Sequence, residues 1–165
     1  MELGKIADWH RTEDRGLLLV DETNHCVVAQ SPDGSTKTHG RKGVGPGEFH
    51  YPRSILVLGS SAYVVDSWNH RVQVFDIPSW RFRFEFGKFG SGPGQFFCPA
   101  SIAFFDPWLL VTDTNNARLS FHSTDGRFLF SSGVSYNRFP RKARGVDGLI
   151  EVQYEDGELE RLEFV

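Results

Sequence analysis

Gly43-Val-Gly-Pro-Gly-Glu-Phe49 returns 47 residues later as Gly90-Ser-Gly-Pro-Gly-Gln-Phe96. A second phrase recurs around it: Val20-Asp-Glu-Thr-Asn-His25, Val65-Asp-Ser-Trp-Asn-His70 and, more loosely, Thr112-Asp-Thr-Asn-Asn-Ala117. Its aspartates, Asp21, Asp66 and Asp113, lie 45 and 47 residues apart. A period in the forties, filled with short strand-like segments, marks a β-propeller blade and not a helical solenoid. Repetition of this kind constrains architecture strongly and chemistry weakly.

The strand signals fall at matching offsets. Pro52 precedes Asp66 by 14 residues, and Pro99 precedes Asp113 by 14. Each proline opens a first strand (53–58 and 100–105), followed by a second (62–65 and 108–112). A third follows the Asp-x-x-Asn turn (71–76 and 118–122), and a fourth closes the unit (81–86 and 127–131). The segment Arg81-Phe-Arg-Phe-Glu-Phe86 alternates with period two, rings on one side and charges on the other. Counting 14 back from Asp21 reaches Ala7, which places residues 6–9 in the first strand of a unit without proline; its other strands fall at 16–21, 26–30 and 35–39. A last, degenerate unit starts at Pro140, with strands at 149–154 and 159–165 and Tyr154 where the aspartate belongs. The expected organisation is one all-β domain over residues 1–165, with blades at about 3–40, 52–87 and 99–132 and a degenerate one at 140–165.

Bulk properties narrow the function. The chain has 165 residues and a net charge of −3, so no overall field draws it to nucleic acid or an anionic membrane. No apolar run approaches the ~20 residues of a membrane span. Residues 1–8 carry no signal-peptide stretch, which leads to the expectation of a cytoplasmic protein. The two cysteines, Cys26 and Cys98, occupy different registers of different repeats and read as free thiols.

Gly-x-Gly-Pro-Gly-Glu/Gln-Phe, a proline-opened strand, then Val65-Asp-Ser-Trp-Asn-His-Arg-Val-Gln-Val-Phe75 resembles the NHL repeat. The match is near-complete in the middle unit, good in the third up to Asn116, partial in the first, where Cys26 replaces the arginine, and faint in the last. The resemblance implies an NHL-type β-propeller, usually six-bladed, which needs roughly 260–280 residues at this period. This chain holds about 3.5–4 four-stranded blades. Three arrangements compete: a closed four-blade ring, an arc completed by a second copy or another protein, and a piece of a longer polypeptide. An open or partner-completed arc is favoured. It would leave apolar positions such as Leu17, Leu19, Val27 and Leu149 on free blade faces, with Glu151, Glu155, Glu158, Glu160 and Glu163 as a polar cap.

In a four-stranded meander both repeated phrases crowd one rim. Asp21, Asn24, His25, Asp66, Asn69, His70, Asp113 and Asn116 read as structural turn residues: the short Asp or Asn side chains cap the turn, and the histidines fill a niche between blades. No Lys-Ser/Thr follows the glycines, so they shape a bend and do not cradle phosphate. Trp68 sits at a turn tip where the sister units have Thr23 and Asn115, so the blade does not require it. Beside it, Arg71, Arg118, Tyr51 and Arg53 complete the candidate interface with a protein partner.

Two alternatives from the same resemblance are weighed. A single-stranded RNA-binding propeller would use Arg138, Arg141, Lys142 and Arg144 as its basic track, but overall acidity disfavours nucleic acid. A metal-dependent lyase or hydrolase would need converging imidazoles, and Ala117 interrupts the His25–His70 series. The expectation is therefore a non-enzymatic interaction module, with no cofactor, no metal and no catalytic residue, whose partner is protein.

Overall fold

The computed structural model describes residues 2–134 and 138–163. It is all-β: four small antiparallel sheets form a four-blade β-propeller. The first blade runs β1 (Ile6–Arg11), β2 (Leu17–Asp21), β3 (Cys26–Gln30) and β4 (Thr36–His39). The second is β5 (Pro52–Leu58), β6 (Ser61–Asp66), β7 (Arg71–Asp76) and β8 (Arg81–Phe86). The third is β9 (Ser101–Phe105), β10 (Trp108–Asp113), β11 (Arg118–His122) and β12 (Phe128–Gly133). The last has three described strands, β13 (Pro140–Val146), β14 (Leu149–Tyr154) and β15 (Leu159–Glu163). Every sheet is a simple meander in chain order. Phe164 and Val165, expected to extend β15, lie outside the described residues.

Register makes the blades superimposable position by position. Pro52 pairs with Asp66 and Pro140 with Tyr154, so Tyr154 does occupy the aspartate's place. In the first blade Ile6, not Ala7, pairs with Asp21. The offset of one residue comes from the hairpin: Arg11 pairs with Leu17 where Val57 pairs with Ala62, so the β1–β2 turn is one residue longer than its counterpart in the second blade.

Three apolar seams hold the blades together. Leu18, Val20 and Val27 of the first blade meet Ile55, Ala62, Val64 and Phe75 of the second. Tyr63, Val65, Val72 and Val74 then meet Ile102, Leu109 and Val111. Leu110, Leu119 and Phe121 meet Ala143, Ile150, Val152 and Tyr154. Val27 is therefore a seam residue and not, as expected, part of a free face. Among the described residues no equivalent seam joins the last blade to the first: β13 packs on β9 and β10, and β1 packs on β5.

Each glycine-rich phrase delivers one phenylalanine to a seam. Phe49 and Phe96 have no exposed surface. Each ring lies so close to a left-handed glycine, Gly40 (φ +89°) or Gly87 (φ +93°), that a Cβ there would stand 2.5 or 2.4 Å from it. Gly87→Ala is expected to cost about 2 kcal/mol or more in denaturant unfolding, strain and overlap acting together. Gly148→Ala, equally left-handed but facing open space, should cost only about 1 kcal/mol.

Candidate functional site

The rim carrying both repeated phrases is built from three recurring ties. First, the aspartate. Asp66 is fully buried and accepts from the His50 amide (2.7 Å), Asn69 Nδ2 (2.9 Å), Arg71 Nε (2.9 Å) and Gln73 Nε2 (3.2 Å). Asp113 repeats this with the Phe97 amide, Asn116 Nδ2 and Arg118 Nε. Burial raises both carboxyls above the ordinary aspartate value, although each of these donors favours the anion. These two carboxylates do not cap their own turns, as expected from sequence; they reach across to the incoming interblade loop. Only Asp21 caps, accepting the Asn24 amide at 2.9 Å.

Second, the arginine. Arg71 also donates to the carbonyls of Gly45 and Glu48 and to Glu85, and Arg118 to those of Ser91, Gly92 and Gln95. Their side chains are only 8% and 14% exposed. The interface role expected for Arg71 and Arg118 is corrected accordingly: both guanidiniums turn inward and clamp the glycine-rich loop. Glu48 and Gln95 close the same loop from within by accepting the Gly45 and Gly92 amides.

Third, the histidine. His25 Nδ1 accepts the Tyr51 amide at 3.0 Å, and His70 Nδ1 accepts the Cys98 amide at 3.1 Å. Tyr51 and Cys98 are left-handed residues (φ +51° each) at the entrance to the next blade. Burial lowers both imidazoles below the usual histidine value, which keeps the accepting nitrogen free of a proton. The niche between blades is therefore a hydrogen-bond latch. Among the described residues no group of three His, Cys, Asp or Glu side chains is placed to hold a metal.

Over this frame lies an aromatic surface. Trp68 is 52% exposed and stands 5.3 Å from the His50 ring and 5.0 Å from Tyr51, which in turn rests edge-on against His25. One blade further, Phe89 is 64% and Phe97 38% exposed, 5.3 Å apart, both against His70. Of the expected interface residues, the fold brings Trp68 and Tyr51 together. Arg53 is half-buried beneath, 4.0 Å from Glu22. Phe89 and Phe97 were not anticipated from sequence. Their signal is the one that marks Trp68: they occupy positions where the sister repeat has Lys42 and His50.

The basic track of the alternative nucleic-acid reading does not stand free. Arg138 pairs with Glu158, Arg141 with Glu155 and Arg144 with Glu151, all within the last blade. Lys142 is exposed on that blade's outer face and forms no ion pair among the described residues.

No family model and no curated protein matches the chain. Among solved structures, a catalytically inactive virginiamycin B lyase from Staphylococcus aureus, with quinupristin, is similar at TM-score 0.71 and 12% identity; the match covers 99% of this chain and 57% of that one. A streptogramin B lyase is similar at TM-score 0.69 and 14% identity, over 94% and 53%. The chain thus spans a little over half the length of these lyases. The computationally designed Ika4 protein is similar at TM-score 0.70 and 10% identity, over 100% of this chain and 94% of that one. At such identities the likeness shows the fold alone, and that fold is the β-propeller.

Proposed function

We propose that this chain is a non-enzymatic protein-interaction module, a rigid stack of NHL-type blades that presents an aromatic rim to a protein partner. The observation that carries this reading is the exposed set Trp68, Phe89 and Phe97 on a frame whose recurring Asp, Arg and His side chains are spent internally. None of the three is required by the blade, since the sister positions hold Asn115, Lys42 and His50. Rings braced against His50, His70 and Tyr51 lose little side-chain freedom on binding, which is what makes aromatic anchors effective. Membership of a larger complex as a scaffold subunit, in a reducing compartment such as the cytoplasm, belongs to the same proposal.

The RNA reading would draw on the same rings, with Lys42 and Lys88 near them in sequence, but the arginines of its track, on the last blade, are already paired with glutamates. The lyase reading rests on fold likeness, and His25 and His70 already spend Nδ1 on backbone amides.

The test is affinity capture from the source cell with wild type and with a Trp68→Ala/Phe89→Ala double variant. We expect the double variant to lose the wild type's specific protein partner while its stability changes by only about 0.5 kcal/mol. Capture unaffected by the two changes would refute the rim as the site. A salt-sensitive shift of single-stranded RNA at about 1 µM protein, abolished by the same changes, would replace protein by RNA as the partner.

A further inference from the structure

The two rims of the propeller carry different charge. In a meander the first-to-second and third-to-fourth turns open opposite the aromatic rim. In those turns carboxylates outnumber the cations Arg15 and Arg127. Asp14, Asp33, Asp106, Asp125 and Asp147 form no ion pair there among the described residues.

The aromatic rim is the reverse. In its loops (21–25, 40–51, 66–70, 87–99 and 113–117) every carboxylate is engaged. Asp21 takes the Gly4 amide, Glu22 meets Lys5, and Glu48 meets Arg41 and the Gly45 amide. Asp66 and Asp113 hold the inward arginines. Two ammonium groups are left over: Lys42 and Lys88 are exposed and form no ion pair among the described residues. Register explains Lys88. The Phe49 amide donates to the Arg41 carbonyl and the Phe96 amide to the Lys88 carbonyl, so Arg41 and Lys88 are sister positions. Arg41 has Glu48 as its counter-ion, whereas the sister of Glu48 is the neutral Gln95. Lys42, the sister of Phe89, lies near enough to His25 to oppose its protonation. Its charge therefore acts on the cluster that His25 forms with Tyr51 and Trp68.

We infer that the occupant of this rim is an acidic peptide segment of the partner, with apolar side chains on Trp68, Phe89 and Phe97 and carboxylates on Lys42 and Lys88. The inference rests on the proposal that the rim binds protein, and adds the chemistry of what is bound. A basic segment would find no free carboxylate in these loops. Nucleic acid is also anionic, but single strands are held by open ring faces and a row of cations. Phe89 and Phe97 instead meet edge to face, at 87°, and two ammoniums make no row.

Fluorescence anisotropy of labelled polymers at about 100 mM salt reads the preference. A glutamate–tyrosine copolymer should bind about tenfold tighter than polyglutamate, which lacks rings, or a lysine–tyrosine copolymer, which carries the wrong charge. Lys42→Glu/Lys88→Glu should weaken the acidic copolymer by about tenfold or more. Its urea midpoint should not move, since both side chains are exposed. Equal binding of any of the three polymers, or none up to about 100 µM, would overturn the inference. So would polyuridylate bound in preference to all three, which would assign the rim to RNA. Partner capture separates this inference from the reading beneath it. A partner lost with Trp68→Ala/Phe89→Ala but kept by Lys42→Glu/Lys88→Glu leaves the rim as the site and overturns only the acidic ligand. Capture indifferent to both pairs removes the rim and the inference together.

Discussion

Asp66→Ala is expected to lower the free energy of unfolding by about 3–5 kcal/mol, the loss typical of breaking a buried, hydrogen-bonded ion pair. The carboxylate has four donors aimed at it, from a backbone amide, an asparagine, an arginine and a glutamine. Removing it leaves Arg71 buried without its main counter-charge and strands the His50 amide at a blade entrance. Asp113→Ala should cost a comparable amount, since Arg118 and the Phe97 amide repeat the arrangement. Asp21→Ala should cost only about 1–2 kcal/mol. Its donors are the Gly4 and Asn24 amides and Asn24 Nδ2, and Cys26 stands where the other blades have arginine. Because Asp66 and Arg71 act as a unit, the Asp66→Ala/Arg71→Met double variant should lose less than the sum of the single losses. Urea unfolding of these variants reads all of this. Equal costs at Asp21 and Asp66 would show that the arginine clamp adds nothing to the turn.

The blades were legible in the sequence because their grammar repeats: the proline-to-aspartate spacing, the paired glycine phrases and the alternating Arg81–Phe86 strand each recur at a fixed offset. Most strands therefore lie within a residue or two of expectation, and the one slip, at Ile6, comes from a β1–β2 turn one residue longer than in the second blade. Arg71 and Arg118 were misplaced because a list of rim cations does not tell which ones turn inward. Their shared five-residue distance from Asp66 and Asp113 was the clue: a constant acid-to-base spacing across repeats points to a pair inside the fold. Phe89 and Phe97 were overlooked because they flank the glycine phrase, where a ring reads as loop filling. Which side of the first and last blades is apolar needed the strand register. Val27 and Leu19 look alike in sequence, yet one faces the second blade and the other faces outward.

Between about pH 6.5 and about pH 4 the protein is expected to lose about 3 kcal/mol of stability through His122 alone. The imidazole sits at the seam position that Phe75 fills in the second blade, among the rings of Phe86, Phe96 and Phe128. It is 1% exposed. Nδ1–H donates to the Gly126 carbonyl and Nε2 accepts from Ser120, so the neutral ring is satisfied where it lies. Burial pushes its pKa down to about 4. As the pH falls below about 6.5 the unfolded chain takes up a proton that the folded chain refuses, so the contribution is complete above that value and gone by about pH 4. His25 and His70, lowered by burial as well, act in the same direction. Asp66 and Asp113, whose carboxyls burial raises, oppose them at the acid end. His122→Gln isolates one group from this sum, because glutamine keeps a donor and an acceptor and does not titrate. The stability difference between wild type and His122→Gln, followed by urea unfolding from pH 7 to pH 4, should therefore shift by about 3 kcal/mol against the wild type. A difference that stays flat over this range would mean that the seam admits a charged imidazole as readily as water does.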